Sequence, residues 1–363
     1  MTTLPLSTTR ERRKAYAGVA VLAAVLSALT ACGSGSAGAT LDLAAALPEK
    51  VPSGTAIRIG DPQVQAIVQA SGLDKQLTDA GVKVEWANLS GGPQTIQAFR
   101  GDKLDCGAVA DIPSLFAAWT GTSTRIVFQS VTVDPLRYPL YQLGVAPGAK
   151  VASLADLRGK KIAYSAGQAQ GALVLRVLQK AGLTRKDVDL VDMTSTVDSY
   201  VTALGSKAVD VAPLGAAYAK IYTDKYAGGT TVPTGIRDDA ATLYCLTKSV
   251  RDAGKAAALK VYVGVRTRAL LWANAHPDEF AKAYLEDVQG LGPAAAQAVN
   301  AVTGKTGIPA TWDNADARLQ ATADLLAAEQ GHQKLDVQTL VDRRFEPVEA
   351  AAAGSDVVTG AAA

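Results

Sequence analysis

The chain has 363 residues, of which 48% are hydrophobic and 19% are charged. This length allows two medium-sized domains rather than a single core, and the composition is that of a globular protein. The formal net charge is only +2, so the charge balance gives no reason to expect nucleic acid as a partner.

The first 31 residues have the layout of a secretory signal peptide. A basic stretch precedes an apolar run from Ala15 to Ala28, which is short for a membrane-spanning helix. Leu29-Thr30-Ala31-Cys32 then resembles the bacterial lipobox, in which the cysteine carries a lipid. We expect lipidation of Cys32, with residues 32–54 as a flexible tether and lead-in. A plain signal peptide and an uncleaved anchor are the alternatives.

Strands and helices alternate after the lead-in. Residues 56–59 alternate like a strand, and residues 64–80 have the period of an amphipathic helix. Further strands are predicted at residues 82–86, 125–131 and 140–146, and the segment that begins at Gly101 turns into a strand ending at Ala110-Asp111. The early connections are too long for hairpins, which favours a parallel sheet. Residues 55–145 are therefore predicted to form the first part of lobe 1.

A turn and a short helix after residue 146 indicate a crossover to a second domain. Strands alternate with helices again over residues 146–242, which we predict to form lobe 2. The strand at 243–247 returns the chain to lobe 1, whose C-terminal helices continue to residue 348. Residues 349–363 are rich in alanine and glycine and are predicted to be a disordered tail.

Three strand-to-helix junctions have the composition of an anion pocket. They are Asn88–Gln94, Val109–Pro113 and Ile162–Gln168. Small and polar residues stand where each strand ends, so free backbone N–H groups and a positive helix-dipole end would face one point. An ordinary α/β turn is the alternative for any one junction.

The cysteines define a redox expectation but no metal site. Cys106 and Cys245 remain after Cys32, either as a disulfide or as two separate buried thiols. A bridge would close a long loop and stabilise the fold by about 4 to 5 kcal/mol in the chain-entropy model. The spacing matches neither a zinc site nor a catalytic Cys/His pair, so we expect no metal and no cofactor.

Four features together resemble the type II periplasmic binding proteins of ABC importers, in particular the nitrate, sulfonate and taurine binding family. The first is the lipobox. The second is Ser90–Gln94 followed by Asp105-Cys106-Gly107. The third and most specific is Ser-Leu-Ala-Asp-Leu-Arg-Gly-Lys-Lys-Ile-Ala at 153–163, and the fourth comprises residues 274–279 and 324–331.

The resemblance implies an α/β fold with two Rossmann-like lobes, joined by two crossover strands and followed by C-terminal helices. The ligand would lie in the cleft between the lobes, at the carboxyl ends of strands, where open α/β sheets bind ligands for geometric reasons. Carried over position by position, the ligand-binding residues are Asp61, Gln63, Ser90, Gly91, Gln94, Asp111, Ile112, Ser165, Gln168, Gln170, Leu214, Gly215 and Tyr218.

The implied function is non-catalytic capture of a solute outside the cytoplasm. A monomer, held to the bacterial membrane through Cys32, would bind a small organic anion such as an aliphatic sulfonate or taurine. It would then deliver that solute to an ABC permease and its ATPase. The alternatives are an enzyme on the same fold, of the pyrimidine- or vitamin-biosynthesis type, and a binder that feeds a sensor. No catalytic triad, metal cluster or close acid pair is recognisable in the sequence.

Two departures from the family bear on the ligand. Asp61 and Asp111 would each repel a sulfonate if they faced it, by about 4 kcal/mol at about 4 Å and an effective dielectric constant near 20. Each aspartate instead suits an N-cap or an amine-bearing ligand. Leu214-Gly215 leaves a roomier and more apolar wall than the family's frequent tryptophan or acidic residues.

Overall fold

The structure is a computed structural model and describes residues 39–89, 91–194 and 199–359. The described strands are β1 (Ala56–Gly60), β2 (Lys83–Trp86), β3 (Cys106–Ala110), β4 (Thr124–Thr132), β5 (Tyr141–Val145), β6 (Lys161–Tyr164), β7 (Asp189–Asp192), β8 (Val211–Gly215), β9 (Thr230–Pro233), β10 (Ala241–Leu246), β11 (Thr306–Pro309) and β12 (Val357–Val358). The described α-helices are α1 (Pro62–Ser71), α2 (Asp74–Asp79), α3 (Gly92–Arg100), α4 (Ile112–Trp119), α5 (Ala169–Lys180), α6 (Ser199–Gly205), α7 (Ala216–Lys225), α8 (Thr247–Arg251), α9 (Ala253–Ala275), α10 (Pro277–Phe280), α11 (Pro293–Val302), α12 (Asp313–Gln330) and α13 (Glu346–Ala353).

These strands form two sheets, as the two-lobed α/β prediction requires. The first sheet has the order β12-β11-β4-β10-β3-β1-β2, and the second has the order β7-β6-β8-β5-β9. We call the sheets with their flanking helices lobe 1 and lobe 2. Each sheet is mixed rather than wholly parallel: β10 is antiparallel to both β3 and β4, and β5 is antiparallel to both β8 and β9.

The chain passes between the sheets twice. The first crossing, residues 133–140, connects β4 to β5, and the second crossing, residues 234–240, connects β9 to β10. Lobe 1 is therefore built from both ends of the described chain and lobe 2 from its middle.

The predicted crossover at residue 146 is too late. β5 (Tyr141–Val145), which the sequence pattern assigns to lobe 1, belongs to the second sheet, where it pairs along one edge with β8 and along the other with β9. Strand 140–146 was recognised correctly by its apolar pattern. Its partners were not, because hydrophobic periodicity reports burial and carries no information on which sheet a strand joins.

The single helix predicted over residues 64–80 is two helices, α1 and α2. Gly72 ends α1 with φ 72°, a left-handed conformation that glycine adopts without a Cβ penalty. Buried residues of α1 pack against α9, which is 23 residues long and rich in alanine and valine. Small side chains let the two helices approach closely, and α9 is buried along much of its length.

The lead-in to β1 is fixed rather than flexible from residue 39 onward. The Leu41 N–H donates to the carbonyl of Arg251 at 2.6 Å, and the Ala253 N–H donates to the carbonyl of Ala39 at 2.9 Å. Leu47 is buried against the core. Proline-rich composition indicated a loose segment, but backbone pairing and one buried leucine hold it in place.

The prediction of a disordered tail is also wrong for the described residues 349–359. Residues 346–353 form α13, which packs against α9, and β12 pairs with β11 in parallel. Glu349, where the tail was predicted to begin, is fully buried, and its carboxylate accepts a hydrogen bond from the Gln129 N–H at 3.2 Å. A run of alanines is ambiguous in sequence, because small apolar residues suit both a frayed end and a closely packed helix.

A disulfide joins Cys106 of β3 to Cys245 of β10. The two residues stand directly opposite each other in the antiparallel pair, and both are fully buried. The bridge connects strands that are 139 residues apart in the chain. It therefore fastens the strand that returns from lobe 2 to the middle of the lobe 1 sheet.

None of the described helices has the length and hydropathy of a membrane span.

Removing the disulfide is expected to destabilise the fold without changing its topology. The double variant Cys106→Ala/Cys245→Ala should lose about 2 to 5 kcal/mol in the free energy of unfolding, because the unfolded chain gains the freedom of a long loop. Urea unfolding followed by circular dichroism measures the change. A reductant should lower the urea midpoint of the parent protein and leave that of the double variant unchanged; equal midpoints for the two proteins under oxidising conditions would contradict the prediction.

Candidate functional site

A cavity of about 420 Å³ lies where loops from the two lobes meet. Its volume is in the range of small-molecule sites, about 300 to 1,000 Å³. The lining follows the carboxyl ends of β2 in lobe 1 and of β6, β7 and β8 in lobe 2, together with the end of the first crossing. The described lining residues are Gly91, Pro93, Gln94, Leu140, Tyr141, Gln168, Gln170, Thr194, Tyr200, Val201, Pro213, Leu214, Gly215 and Tyr218.

Three helices begin at this cavity without a side-chain cap. The N-cap residues of α3, α5 and α7 are Gly91, Gln168 and Gly215, and none of them accepts a capping hydrogen bond from its helix. The first N–H groups of an α-helix have no partner within the helix, and they carry the positive end of its dipole. The cavity therefore has three sources of positive potential in its wall, each made of backbone.

Seven of the predicted ligand-binding residues line the cavity. They are Gly91, Gln94, Gln168, Gln170, Leu214, Gly215 and Tyr218. Gly91 and Gln94 come from lobe 1, and the others come from lobe 2, so the structure brings together residues predicted from separate junctions. Ser90, which was predicted with them, lies outside the described residues.

Ser165 supports the cavity wall instead of lining it. Its side chain is buried, and its hydroxyl donates to the side-chain oxygen of Gln168, which does line the cavity. The loop folds back tightly here: a Cβ on Gly171 would lie 2.0 Å from the Ser165 carbonyl oxygen. Only glycine fits at this position, and it lets the first turn of α5 close against the end of β6.

The structure places Asp61 away from the cavity, in an internal ion pair. Its Oδ2 is 2.9 Å from Nε of Arg266 and 3.3 Å from the hydroxyl of Tyr262, and all three side chains are buried. Its Oδ1 accepts a hydrogen bond from the Val64 N–H at 3.2 Å, which caps α1. Burial, with a further contribution from this carboxylate, raises the pKa of Tyr262 well above its usual range. Asp61 therefore acts as an N-cap, which is one of the two alternatives to sulfonate contact given for it above.

Gln63, Asp111 and Ile112 also lie outside the cavity. Gln63 lines a separate pocket beside the first crossing. Asp111 and Ile112 border a space of about 20 Å³, at the contact between the lobes. There the Asp111 carboxylate lies 3.9 Å from Arg176 of lobe 2 and accepts a hydrogen bond from the Thr322 hydroxyl at 3.3 Å. Asp111 therefore bridges the lobes and does not face the larger cavity.

The second crossing is fastened to the first by two consecutive aspartates. Oδ2 of Asp239 accepts from the Thr132 N–H at 2.8 Å, and Oδ1 of Asp238 accepts from the Leu140 N–H at 3.3 Å. Thr132 and Leu140 stand at the two ends of the first crossing. Leu140 also lines the cavity, so the junction between the lobes and the cavity share part of their backbone.

Burial raises the pKa of Asp238 to about 7, with a smaller contribution from the neighbouring Asp239 charge. The other carboxylate oxygen, Oδ2, is buried and has no hydrogen-bond partner among the described residues. A protonated Asp238 avoids the cost of burying a charge next to a second carboxylate. The contact between the crossings is therefore sensitive to pH near neutrality.

Replacing Asp238 by asparagine should remove one pH-dependent contribution to stability. The folded protein holds a proton on Asp238 up to about pH 7, whereas the unfolded chain releases it near the ordinary value of 3.8. The contribution of Asp238 to the free energy of unfolding therefore falls as pH rises from about 4 to 7. Asp238→Asn keeps the acceptor for Leu140 and should gain stability over the parent by on the order of 1 to 3 kcal/mol across that window. Urea unfolding at a series of pH values measures the difference, and a difference that is constant with pH would refute the assignment.

Tyr141 and Tyr200 were missed by the sequence reasoning, although both line the cavity. Tyr141 begins β5, and the misplaced lobe boundary hid it. Tyr200 is the second residue of α6, eight residues after the end of β7, and the sequence analysis names no junction after β7. The rule that located the other residues, that ligands meet the carboxyl ends of strands, applied to β7 as well. Among the described residues, no group of His, Cys, Asp or Glu is placed to hold a metal ion.

Two α/β lobes, linked by two crossings and enclosing a cavity at the carboxyl ends of their strands, are the architecture of the periplasmic-binding-protein fold. The chain belongs to the NMT1/THI5 like family, whose pattern matches residues 77–279, more than half of its length. A relative in Bacillus subtilis strain 168, named as an aliphatic sulfonates-binding protein, is 24% identical over 340 residues, 90% of this chain and 95% of the relative. A relative of the same name in Escherichia coli K12 is 32% identical over 116 residues, which are 32% of this chain and only 34% of that protein.

Solved structures share the fold. The alkanesulfonate-binding protein SsuA from Xanthomonas axonopodis pv. citri, bound to MOPS, superposes with a TM-score of 0.66 at 22% identity, over 82% of this chain and 99% of SsuA. The desulfurization enzyme DszB superposes with a TM-score of 0.56 at 18% identity, over 81% of this chain and 98% of DszB. The predicted fold class is confirmed, and the fold is found in both a binding protein and an enzyme.

Proposed function

We propose that this protein is the solute-binding component of an ABC importer and that it captures a small organic sulfonate in the cavity between its lobes. The observation that carries the proposal is the convergence of three uncapped helix N-termini, those of α3, α5 and α7, on one cavity. An anion at such a point accepts backbone hydrogen bonds and interacts favourably with three helix dipoles.

The lack of charged side chains in the described cavity wall supports binding of a weakly basic anion. The described lining residues include no arginine, lysine or histidine, so the anion would be held by N–H groups, amides and hydroxyls alone. A sulfonate carries a single delocalised charge on three acceptor oxygens. Gln94 and Gln170 can each donate an amide N–H toward it. Sulfonate binding by the relatives, whose names describe that activity, is consistent with this chemistry.

A binding role is favoured over catalysis by the side chains at the cavity. None of its described lining residues is a cysteine, histidine, serine or carboxylate, so a nucleophile paired with a general base is missing from the described wall. DszB has the same fold and is an enzyme, which makes catalysis the second candidate. The distinction lies in the site, because one fold hosts both activities.

Delivery to a permease would follow from closure of the lobes. One side chain already connects the two lobes: Gln330 of α12 in lobe 1 donates to the Tyr164 hydroxyl and to the Ala166 carbonyl, both at the end of β6 in lobe 2. A ligand that contacts both lobes stabilises the closed arrangement through its differential affinity. The permease and its ATPase would recognise that closed form.

Ligand binding should raise stability by mass action, and loss of Gln94 should reduce this effect. An alkanesulfonate at 100 times its dissociation constant should add about 2.7 kcal/mol to the free energy of unfolding. Gln94→Ala should weaken binding about 10-fold, because a hydrogen bond to a charged group is lost. Thermal unfolding and titration calorimetry measure both effects.

Gln97→Ala is the matched control, since Gln97 lies on the same helix α3, is exposed, and does not line the cavity. Its affinity should equal that of the parent protein. Failure of every sulfonate to shift the melting temperature of the folded parent would remove the proposed substrate class. Equal affinities for Gln94→Ala and Gln97→Ala would show that the anion binds elsewhere.

We also propose that the protein is a lipoprotein held at the outer face of the cell membrane through Cys32. Leu29-Thr30-Ala31-Cys32 supports this proposal, and these residues lie outside those that the structure describes. Cys32→Ala should move the protein from the membrane fraction to the soluble extracytoplasmic fraction, because the acceptor of the lipid is lost. Ser34→Ala, two residues away, should leave the distribution unchanged. Retention of Cys32→Ala in washed membranes would indicate an uncleaved anchor instead.

A further inference from the structure

Two tyrosine rings border one side of the sulfonate cavity, next to a glycine. A Cβ on Gly215 would lie 3.8 Å from the Leu140 carbonyl oxygen, 3.8 Å from Cδ2 of Tyr218 and 4.0 Å from Cε1 of Tyr141, all ordinary van der Waals distances. Because Gly215 has no side chain, the two tyrosine edges and the Leu140 carbonyl border open space at this point of the cavity wall. We call this part of the cavity, formed by Tyr141, Gly215 and Tyr218, the aromatic recess.

The aromatic recess adjoins a helix N-terminus. Gly215 is the N-cap residue of α7 and makes no capping hydrogen bond, and its backbone is extended with φ −64° and ψ 159°. An anionic group at the start of α7 would thus place its attached carbon skeleton beside the two rings. Hydrogen-bond donors and apolar ring surface are adjacent here.

The described wall suits an uncharged organic part. It holds no charged side chain among its described lining residues. Asp61 pairs with Arg266 and Asp111 lies beside Arg176. Asp238 accepts from the Leu140 N–H behind the wall and is not among the described lining residues. An ammonium group that entered this wall would lose water without gaining a carboxylate from the described residues, which is costly.

We infer that the ligand is an aryl sulfonate, whose ring occupies the aromatic recess while its sulfonate faces the N-termini of α3, α5 and α7. This inference rests on the proposed function and narrows it to one substrate class. Aromatic rings gain from edge-to-face and offset contacts beyond the area they bury. A short alkyl chain makes neither contact, and taurine adds an ammonium group that the described wall does not accommodate.

A panel of three sulfonates tests the inference on the parent protein by titration calorimetry. Benzenesulfonate should bind at least 10-fold more tightly than ethanesulfonate, and taurine should bind more weakly than either. Ethanesulfonate or taurine binding as tightly as benzenesulfonate would overturn the inference and leave the proposed function standing. Failure of all three to bind the folded protein would overturn the proposed function itself.

A substitution that fills the aromatic recess distinguishes the contribution of the aryl ring to the binding affinity from that of the sulfonate group. Gly215→Val places a branched side chain between Tyr141 and Tyr218 and should weaken benzenesulfonate at least 10-fold and ethanesulfonate by a clearly smaller factor. The matched control is Gly292→Val, because Gly292 is the N-cap residue of α11 with φ −66° and ψ 155° and has open space around its Cβ position. The Gly292→Val variant should bind both sulfonates with the affinities of the parent protein. Equal losses for the two ligands in Gly215→Val, in a protein that melts like the Gly292→Val control, would overturn placement of the ring in the recess.

Discussion

The geometry of the site depends on the hydrogen bonds that hold the two crossings together. Asp239 accepts from Thr132 where the first crossing begins, and Asp238 accepts from Leu140 where it ends. The lobes are built on separate sheets, so these contacts help set how the strand ends of one lobe face those of the other. Because Leu140 and Tyr141 are also part of the cavity wall, a change in the angle between the lobes would change the cavity.

The aspartates that follow β1 and β3 form structural ion pairs, whereas the cavity wall offers polar backbone groups. Asp61 is neutralised by Arg266 and Asp111 is opposed by Arg176, and neither aspartate lines the cavity between the lobes. A buried ion pair is compensated internally and exerts little net attraction on a ligand. Helix N-termini keep their N–H groups available because Gly91, Gln168 and Gly215 do not cap them. This division leaves the cavity suited to an anion without placing a fixed positive side chain in its described wall.

A shared fold leaves the activity to be decided by a few wall residues. SsuA and DszB both superpose on this chain, and one is a binding protein whereas the other is an enzyme. In this chain the described wall offers amides, phenol rings and small residues, which can hold and orient a guest but supply no acid, base or strong nucleophile at neutral pH. The aromatic recess around Gly215 adds shape selectivity to this binding chemistry.

The sequence by itself determined the α/β class, the alternation of elements and the junction loops after β2, β3 and β6, because hydrophobic period and turn residues are local properties. Gln94 and Gln168 lie in two of these loops, whereas Gly215 after β8 was implied only by the resemblance to the binding-protein family. Only the tertiary structure decided that β5 joins the second sheet, that Cys106 stands opposite Cys245, and that Asp61 and Asp111 turn to arginines instead of the ligand cavity. Strand pairing and ion pairing connect residues far apart in the chain, as Asp61 and Arg266 are, and a local pattern holds no record of such partners.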